Sequence, residues 1–162
     1  MSIFYTDGSC SGNGKSENIG GFGIVQLDDN ENFIRAYARR NKNTTNNREE
    51  IRAILRVMLI YGKRKPTPIV YSDSAYCVNT FTDWMFRWAD NNWIKSDGKQ
   101  PENLDLIQAY YELYLSGHRI DLRKVRGHST NKWNNLADEL ATGKIGILEA
   151  HKKYGGINDK SI

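Results

Sequence analysis

Four acidic residues stand where a carboxylate could bind a metal or assist catalysis. Asp7 ends a short apolar run in "SIFYTDG", and Asp73 ends a similar run in "IVYSD". If these runs are parallel neighbouring strands, the two carboxylates lie side by side, where like charges repel unless a cation or a proton intervenes. Mg²⁺ prefers hard oxygen ligands, so three or four clustered carboxylates suit it. For either aspartate alone, a turn or a helix cap is the commoner explanation.

Two adjacent glutamates, Glu49 and Glu50, occur in "TTNNREEIRAIL" and differ in helical phase. The buried stripe of this helix is predicted to comprise Ile51, Ile54, Leu55, Met58 and Leu59. Glu50 then lies roughly 110° from the centre of the stripe and Glu49 roughly 150° from it. We therefore expect Glu50 to reach toward the sheet and Glu49 to be a surface charge. Asn47 and Glu50 also resemble a capping box, so phase alone leaves the role of Glu50 open.

Asp138 and His128 are the remaining candidates for chemistry. Asp138 flanks the apolar side of the predicted helix in "NNLADELA". Aspartate is a mediocre residue within helices, which favours a role for it. His128, in the loop "VRGHSTN", could exchange protons near neutral pH, although loop histidines are usually just exposed. Metal ligation by His128 is not expected, because no second histidine or cysteine stands at ligand spacing.

The elements that must position these residues follow the order β-β-β-α-β-α-α-β-α. Strands are predicted over residues 2–8, 20–27, 32–40, 69–73 and 119–125, and helices over 46–61, 74–88, 102–116 and 130–144. A meander followed by alternating strands and helices predicts an α/β fold with a mixed sheet covered by helices. In open sheets of this kind, sites gather beyond the carboxyl ends of the central strands.

Composition sets the class of the protein. The chain has 162 residues, 39% hydrophobic and 26% charged, which fits one globular domain. No stretch approaches the roughly 20 apolar residues of a membrane span, and no signal-peptide pattern is present. Cys10 and Cys77 match no metal-ligand spacing, so reduced thiols and a cytoplasmic location are expected.

The chain is basic, with a net charge of +4 and a pI near 9.0. Residues 35–65 hold ten Lys or Arg and only two acidic residues, Glu49 and Glu50. A basic surface interrupted by a few carboxylates suits a metal-dependent nuclease. A solvated basic face is the alternative that composition alone favours.

Five motifs occur in order along the chain: "YTDGSCSGN", "TTNNREE", "YSDS", "VRGHST" and "NLADELA". Together they resemble type 1 ribonuclease H, from about Ile3 to Thr142. The resemblance implies an α/β, ribonuclease H-like fold with a five-stranded mixed sheet flanked by helices. It implies a catalytic domain over residues 1–143, and we expect a basic, partly disordered C-terminal tail over 144–162. The implied activity is Mg²⁺- or Mn²⁺-dependent cleavage of the RNA strand of RNA/DNA hybrids.

By this resemblance, the metal-binding carboxylates fall on Asp7, Glu50, Asp73 and Asp138, and the mobile catalytic histidine on His128. Two Mg²⁺ ions, or Mn²⁺, are expected with substrate bound. Asp7 would bridge them, Asp138 would help hold the ion that activates water, and Glu50 and Asp73 the ion at the leaving 3′ oxygen. The products would carry a 5′-phosphate and a 3′-hydroxyl.

The resemblance extends less evenly to substrate contacts. Asn13 and Asn47 match residues that read the RNA strand in the minor groove, where 2′-hydroxyls mark RNA. Thr45 matches part of a pocket for a DNA phosphate. Trp84 matches an aromatic residue lining the DNA channel, with core packing as the alternative.

The chain departs from the family at several substrate positions. Ala75 and Ala109 replace a glutamine that reads RNA and a basic residue of the phosphate pocket. The helix and loop from Trp84 to Asn103, called the handle below, carry three basic and three acidic residues instead of a basic cluster. Basic residues in the tail, among them Lys152 and Lys153, are a candidate compensation.

Two other functions stay open at this point. One is a non-cleaving module that binds hybrid or double-stranded RNA, although carboxylates facing phosphates would not help such a protein. The other is a DNA-cutting nuclease of the same broad fold. We expect a monomer with no obligate protein partner and no membrane association.

Overall fold

The computed structural model describes residues 1–12, 17–125 and 131–155. Within these ranges the strands are β1 (Ile3–Ser11), β2 (Ile19–Leu27), β3 (Phe33–Lys42), β4 (Ile69–Ser72) and β5 (Asp121–Lys124). The helices are α1 (Asn46–Tyr61), α2 (Ala75–Asn79), α3 (Met85–Asp90), α4 (Leu104–Leu115), α5 (Lys132–Thr142) and α6 (Ile147–Tyr154). None of the helices described here combines the length and the apolar character that crossing a bilayer requires.

The strands form one mixed sheet in the order β3-β2-β1-β4-β5. The first three strands are antiparallel, while β4 is parallel to β1 and β5 is parallel to β4. Thr6 of β1 pairs with Ser72 of β4. Asp7 and Asp73 are therefore the next residues on two adjacent parallel strands. The predicted five-stranded mixed sheet flanked by helices is confirmed.

Two layers of helix cover the sheet because side chains alternate across each strand. On β1, Phe4 faces a core shared with α1 and α4, which contribute Ile54 and Ile107. Its neighbour Tyr5 faces the opposite core, to which α5 contributes Leu136. The sheet is thus held from both sides, which fixes the positions of its strand ends.

Helix α1 has the predicted bounds but differs in two details. Its N-cap is Thr45, whose Oγ1 accepts a 3.1 Å hydrogen bond from the backbone N–H of Arg48, so the capping box suggested by Asn47 is wrong. The prediction that Leu59 belongs to the buried stripe is also wrong, since it is 57% exposed. Leu59 lines an open groove between α1 and β3 instead of packing into the core.

The predicted helix over residues 74–88 is divided in the structure. A π-helical turn, Thr80–Trp84, joins α2 to α3, and the helical path continues to Asp90. The hydroxyl of Thr82 donates a 2.5 Å hydrogen bond to the carbonyl of Val78, one turn earlier. Such bonds compete with the backbone hydrogen bonds of the helix and bend it. The spacing of apolar residues in the sequence cannot predict them.

Residues 147–154, which the sequence placed in the expected tail, form helix α6. Ala150 and His151 of α6 are buried, and Ala150 belongs to the same core as α5. Phe33 of β3 stacks at 5.8 Å on Trp133 and contacts Tyr154 at 5.7 Å. This part of the tail is therefore packed on the sheet.

Candidate active site

Three of the predicted carboxylates meet where β1, β4 and α1 converge. Asp7 lies in β1, Asp73 directly follows β4, and Glu50 lies at the start of α1. One carboxylate oxygen of each lies within 4.8 Å of the others. Asp7 and Glu50 are buried whereas Asp73 is exposed. The cluster, called the carboxylate trio below, is therefore reachable from solvent through Asp73.

Gly8 brings the first turn of α1 against β1. Its backbone N–H donates a hydrogen bond of 2.5 Å to Oε1 of Glu50, and one of 2.9 Å to Oδ1 of Asp7. A Cβ at Gly8 would lie 2.2 Å from the backbone nitrogen of Glu50. Only a glycine permits this approach, so Gly8 is what places Glu50 beside Asp7.

The carboxylate trio is electrostatically unfavourable as an isolated group. Burial raises the pKa of Asp7, and the neighbouring carboxyls of Glu50 and Asp73 raise it further. Burial also raises the pKa of Glu50, an effect that hydrogen bonds from Asp7, the Gly8 N–H and Ser72 partly offset. A divalent cation among these oxygens would offset the repulsion between the carboxylates.

Asp138 lies beside the carboxylate trio without belonging to it. Its side chain is exposed on α5 and lies near enough to Asp7 to help raise the pKa of that carboxyl. It is not part of the group in which every oxygen lies within 4.8 Å of the others. Helix α5 comes this close because Gly23 of β2 has no side chain: a Cβ there would lie 2.5 Å from the carbonyl oxygen of Ala137.

Glu49 was predicted to be a surface charge, and this prediction is wrong. Its side chain is 0% exposed. Oε2 accepts hydrogen bonds from Thr44 Oγ1 at 2.7 Å and from Arg52 Nη1 at 2.5 Å, and Oε1 accepts one from Asn41 Nδ2 at 2.7 Å. The segment between β3 and α1 folds over the outer side of the helix. A residue opposite the core is therefore buried, and its charge is paired as burial requires.

The predicted substrate residues that the structure describes occupy two places. Thr45 is half-buried as the cap of α1, and Asn47 is exposed in the first turn. Trp84 ends the π-helical turn, 36% exposed, with its ring 6.1 Å from that of Trp88. Asn13 and His128 lie outside the described residues.

The handle presents a surface groove of about 560 Å³ lined by Trp84, Trp88 and neighbouring polar residues. Two of the three basic side chains of the handle lie beside acids. Arg87 contacts Asp83 at 3.0 Å, and Lys95 lies 3.7 Å from Asp97. Two of the three positive charges of the handle are therefore offset by a neighbouring carboxylate.

Sequence reasoning missed three residues that organise the site. The sequence pattern puts Gly8 in a turn and Ser72 at an ordinary strand position. Arg48 makes a bidentate pair with Asp105, at 3.0 and 2.7 Å, and so ties the start of α1 to the start of α4. Strand β1 runs on to Ser11, so the prediction that it ends at Asp7 and Gly8 is wrong. The small residues flanking Asp7 and Asp73 were the available signal for Gly8 and Ser72. Nothing local in the sequence pairs Arg48 with a residue 57 positions away.

Comparison with known proteins agrees with this fold. The family model described as RNase H matches residues 1–145. Ribonuclease H of Thermoanaerobacter sp. (strain X514) is 39% identical over 143 residues, covering 87% of each chain. Ribonuclease H of Chlorobium luteolum is 40% identical over 144 residues, covering 87% of this chain and 92% of its own.

Solved structures give the same result. LC9-RNase H1, described as a type 1 RNase H with the type 2 active-site motif, superposes with a TM-score of 0.73. It is 29% identical, and the match covers 98% of this chain and 77% of that one. The fold and these relatives define the class of the protein as a nuclease, which is a hydrolase. More particularly, the chain belongs to the RNase H family.

Proposed function

We propose that this enzyme cleaves the RNA strand of RNA/DNA hybrids endonucleolytically, leaving 5′-phosphate and 3′-hydroxyl ends. The observation that carries the proposal is the carboxylate trio, within 4.8 Å, in a chain of the RNase H family. LC11-RNase H1, solved in complex with RNA/DNA hybrid, has the same fold, with a TM-score of 0.65 at 21% identity. That structure supports a hybrid as the ligand to be tested first.

The residues present suit divalent metal ions. The trio offers only carboxylate oxygens, the donors that Mg²⁺ and Mn²⁺ prefer. The raised pKa values of Asp7 and Glu50 mark a site that favours added positive charge. We propose that Asp7, Glu50, Asp73 and Asp138 hold two Mg²⁺ ions when substrate is bound, with Mn²⁺ as a substitute. Bound ions of this kind orient an attacking water and neutralise charge on the phosphodiester.

The chain's own residues prepare this site. The Gly8 N–H and Ser72 hold the Glu50 carboxylate in place, and its first-turn position keeps it beside Asp7. Asp138 lies near Asp7, where it would add a fourth carboxylate to the site. His128, which lies outside the described residues, is proposed to move protons or to assist product release.

Substrate binding is proposed to use the start of α1 and the handle. Thr45 and Asn47 lie at the N-terminus of α1, where backbone N–H groups and the helix dipole favour phosphate. Asn47 and Asn13 would contact the RNA strand, and Trp84 the DNA strand. The carboxylate trio repels phosphates when no cation is bound, so binding and cleavage should both need the metal.

One assay separates this proposal from its alternatives. Labelled RNA/DNA hybrid, duplex DNA and duplex RNA are incubated with the protein in Mg²⁺, Mn²⁺ or EDTA. Cleavage of hybrid alone, stopped by EDTA and by Asp7→Asn, is the expected result. Binding without cleavage would identify a non-cleaving module, and cleavage of duplex DNA would identify a DNA nuclease of the same fold.

The monomeric state and the cytoplasmic location also stay proposals. Both cysteines are free thiols in the structure, which supports a reducing compartment. Sedimentation of the protein with and without hybrid tests the monomer, and a stable dimer in either condition would contradict it.

A further inference from the structure

A groove between α1 and β3 gathers three arginines, and its lining includes no residue of the carboxylate trio. It has a volume of about 340 Å³ and is lined by Arg39, Arg52, Arg56, Phe22, Leu55 and Leu59, among others. Within the part of the chain that the structure describes, no acidic residue lines it.

The strand and the helix present their basic groups to the same space. Arg39 of β3 pairs with Phe22 of β2, so the two side chains lie on one face of the sheet. Arg52 and Arg56 are one turn apart on α1, so their side chains lie along the same side of the helix.

The three guanidinium groups of this groove differ in their surroundings. Arg52 forms an ion pair with the buried Glu49, with Nη1 2.5 Å from Oε2. Arg56 lies over the ring of Tyr37, with Cζ 4.3 Å from the ring centroid, a contact that orients the guanidinium without removing its charge. Arg39 is exposed. Even with Glu49 counted against Arg52, the groove holds more cationic than acidic groups, and this excess favours an anionic ligand.

The floor of the groove is apolar. Phe22 is buried, Leu55 is half-buried and Leu59 is 57% exposed. An exposed leucine beside guanidinium groups suits a ligand with an apolar, planar part and an anionic part. Arginine forks match phosphate oxygens, and their planes also stack on bases. The volume is within the range of small-molecule sites and too small for a duplex.

We propose that this groove, called the arginine groove below, binds a nucleoside phosphate, with the phosphates on Arg39 and Arg56 and the base on the leucines. The source is either a free nucleotide or the unpaired end of a nucleic-acid strand, which share this chemistry. The proposal does not depend on the cleavage of hybrids.

Isothermal titration in EDTA tests the arginine groove with three probes: ATP, a short single-stranded oligonucleotide and inorganic tripolyphosphate. EDTA prevents metal-bridged binding at the carboxylate trio. ATP or the oligonucleotide should bind, and the double variant Arg39→Gln, Arg56→Gln should weaken binding at least about tenfold, as the removal of charge-assisted hydrogen bonds implies. Which of the two binds identifies the source.

Arg64→Gln is the matched control, because Arg64 lies over Tyr61 at 4.7 Å as Arg56 lies over Tyr37, but outside the groove. This variant should bind as the parent does. Arg39→Gln alone, a change at an exposed strand residue, keeps the test valid if the double variant unfolds. Amide shifts on ATP binding should fall on residues of α1 and β3.

Three outcomes would overturn the proposal. One is the absence of binding by ATP and by the oligonucleotide up to about 1 mM, the weak end of specific affinity. Another is an equal weakening of binding in the Arg64→Gln control. The third is tripolyphosphate binding as tightly as ATP, which would show that the base contributes nothing to binding.

Discussion

The backbone N–H of Gly8 donates a 2.5 Å hydrogen bond to Oε1 of Glu50, joining strand β1 to the first turn of helix α1. The two residues are 42 positions apart in the chain. Their contact decides whether the glutamate of the helix and the aspartate of the strand share one site. A glycine whose sequence context indicates only a turn thus sets the spacing of the carboxylate trio.

Gly8→Ala should destabilise the protein and separate Glu50 from Asp7. The added Cβ would meet backbone atoms of Glu49 and Glu50 at 2.4 and 2.2 Å, and a helix cannot yield as a flexible side chain can. Overpacking of this kind costs about 1–3 kcal/mol or more. Urea unfolding followed by circular dichroism measures the destabilisation. Gly146→Ala is the control, because Gly146 has a φ of −94° and no atom within 4 Å of an added Cβ. An unchanged midpoint for Gly8→Ala would contradict the role assigned to Gly8.

Glu49→Gln and Glu50→Gln should give opposite phenotypes. Glu50→Gln should fold normally and lose nearly all cleavage and metal binding, because it removes a charge from the carboxylate trio. Glu49→Gln should retain cleavage at low temperature but lower the free energy of unfolding by about 1–3 kcal/mol, since an amide nitrogen would face Thr44 or Arg52. Thermal denaturation and hybrid cleavage of the two variants, measured side by side, check both statements. An unchanged free energy of unfolding in Glu49→Gln would show that the hydrogen bonds of Glu49 contribute little to stability.

In EDTA, the stability of the protein should fall as pH rises. Burial and neighbouring carboxyls raise the pKa of Asp7 and Glu50 in the folded state, so the native protein binds protons more tightly than the unfolded chain. This stabilisation is complete below the ordinary carboxyl pKa of about 4 and is lost as pH rises through the higher native values. Urea midpoints between about pH 5 and pH 8 measure it.

Asp7→Asn is the control for this pH dependence and should flatten it. Mg²⁺ should raise the midpoint of the parent at neutral pH, because a ligand of the native state alone stabilises that state. The same slope in Asp7→Asn as in the parent would place the titrating groups elsewhere.

The two cysteines should differ sharply in reactivity. Cys77 is fully buried, and burial raises its pKa to about 12, whereas Cys10 is partly exposed. The thiolate is the reactive form, so Cys77 should be inert in the native protein. Titration with a thiol reagent should count one group in native protein and two in guanidinium. Cys10→Ser should leave none in the native state, and a reactive Cys77 would indicate opening of the core.

Lys152 and Lys153 should contribute to hybrid binding if the proposed function holds. Both are exposed on α6, which packs on the sheet, so they are presented by a fixed helix. Changing both to glutamine should raise KM for hybrid with little change in kcat. Binding should also become less sensitive to salt, because each lysine that pairs with a phosphate releases about one counterion. Lys63→Gln, just beyond the far end of α1, is the control, and an unchanged KM in the double variant would remove α6 from the binding surface.

The sequence predicted the sheet and the carboxylate trio because both depend on short-range patterns. Asp7 and Asp73 end apolar runs, and parallel strands bring such ends together. Glu50 was chosen by phase and by motif, and its place beside Asp7 is confirmed.

Glu49 was misassigned because helical phase treats everything opposite the core as solvent. The segment containing Asn41 and Thr44 covers that side of α1, and no periodicity reports such a cover. The prediction for Leu59 was wrong for the converse reason. Its helical phase suits the core, but the groove beside β3 leaves its side chain exposed. The bidentate pair of Arg48 and Asp105 is a tertiary contact, which only the folded chain brings about.

Because β3 and β5 end the sheet, each has one side without a partner strand in the described structure. An unpaired strand side is a template for another chain, and flat apolar edges aggregate. Here β3 carries the exposed Arg39 and Lys42, while β5 has only four residues, with exposed Arg123 and Lys124 among them. Bringing two such edges together would place like charges side by side. The same basic residues that give the chain its high pI therefore also guard it against fibrillar self-assembly.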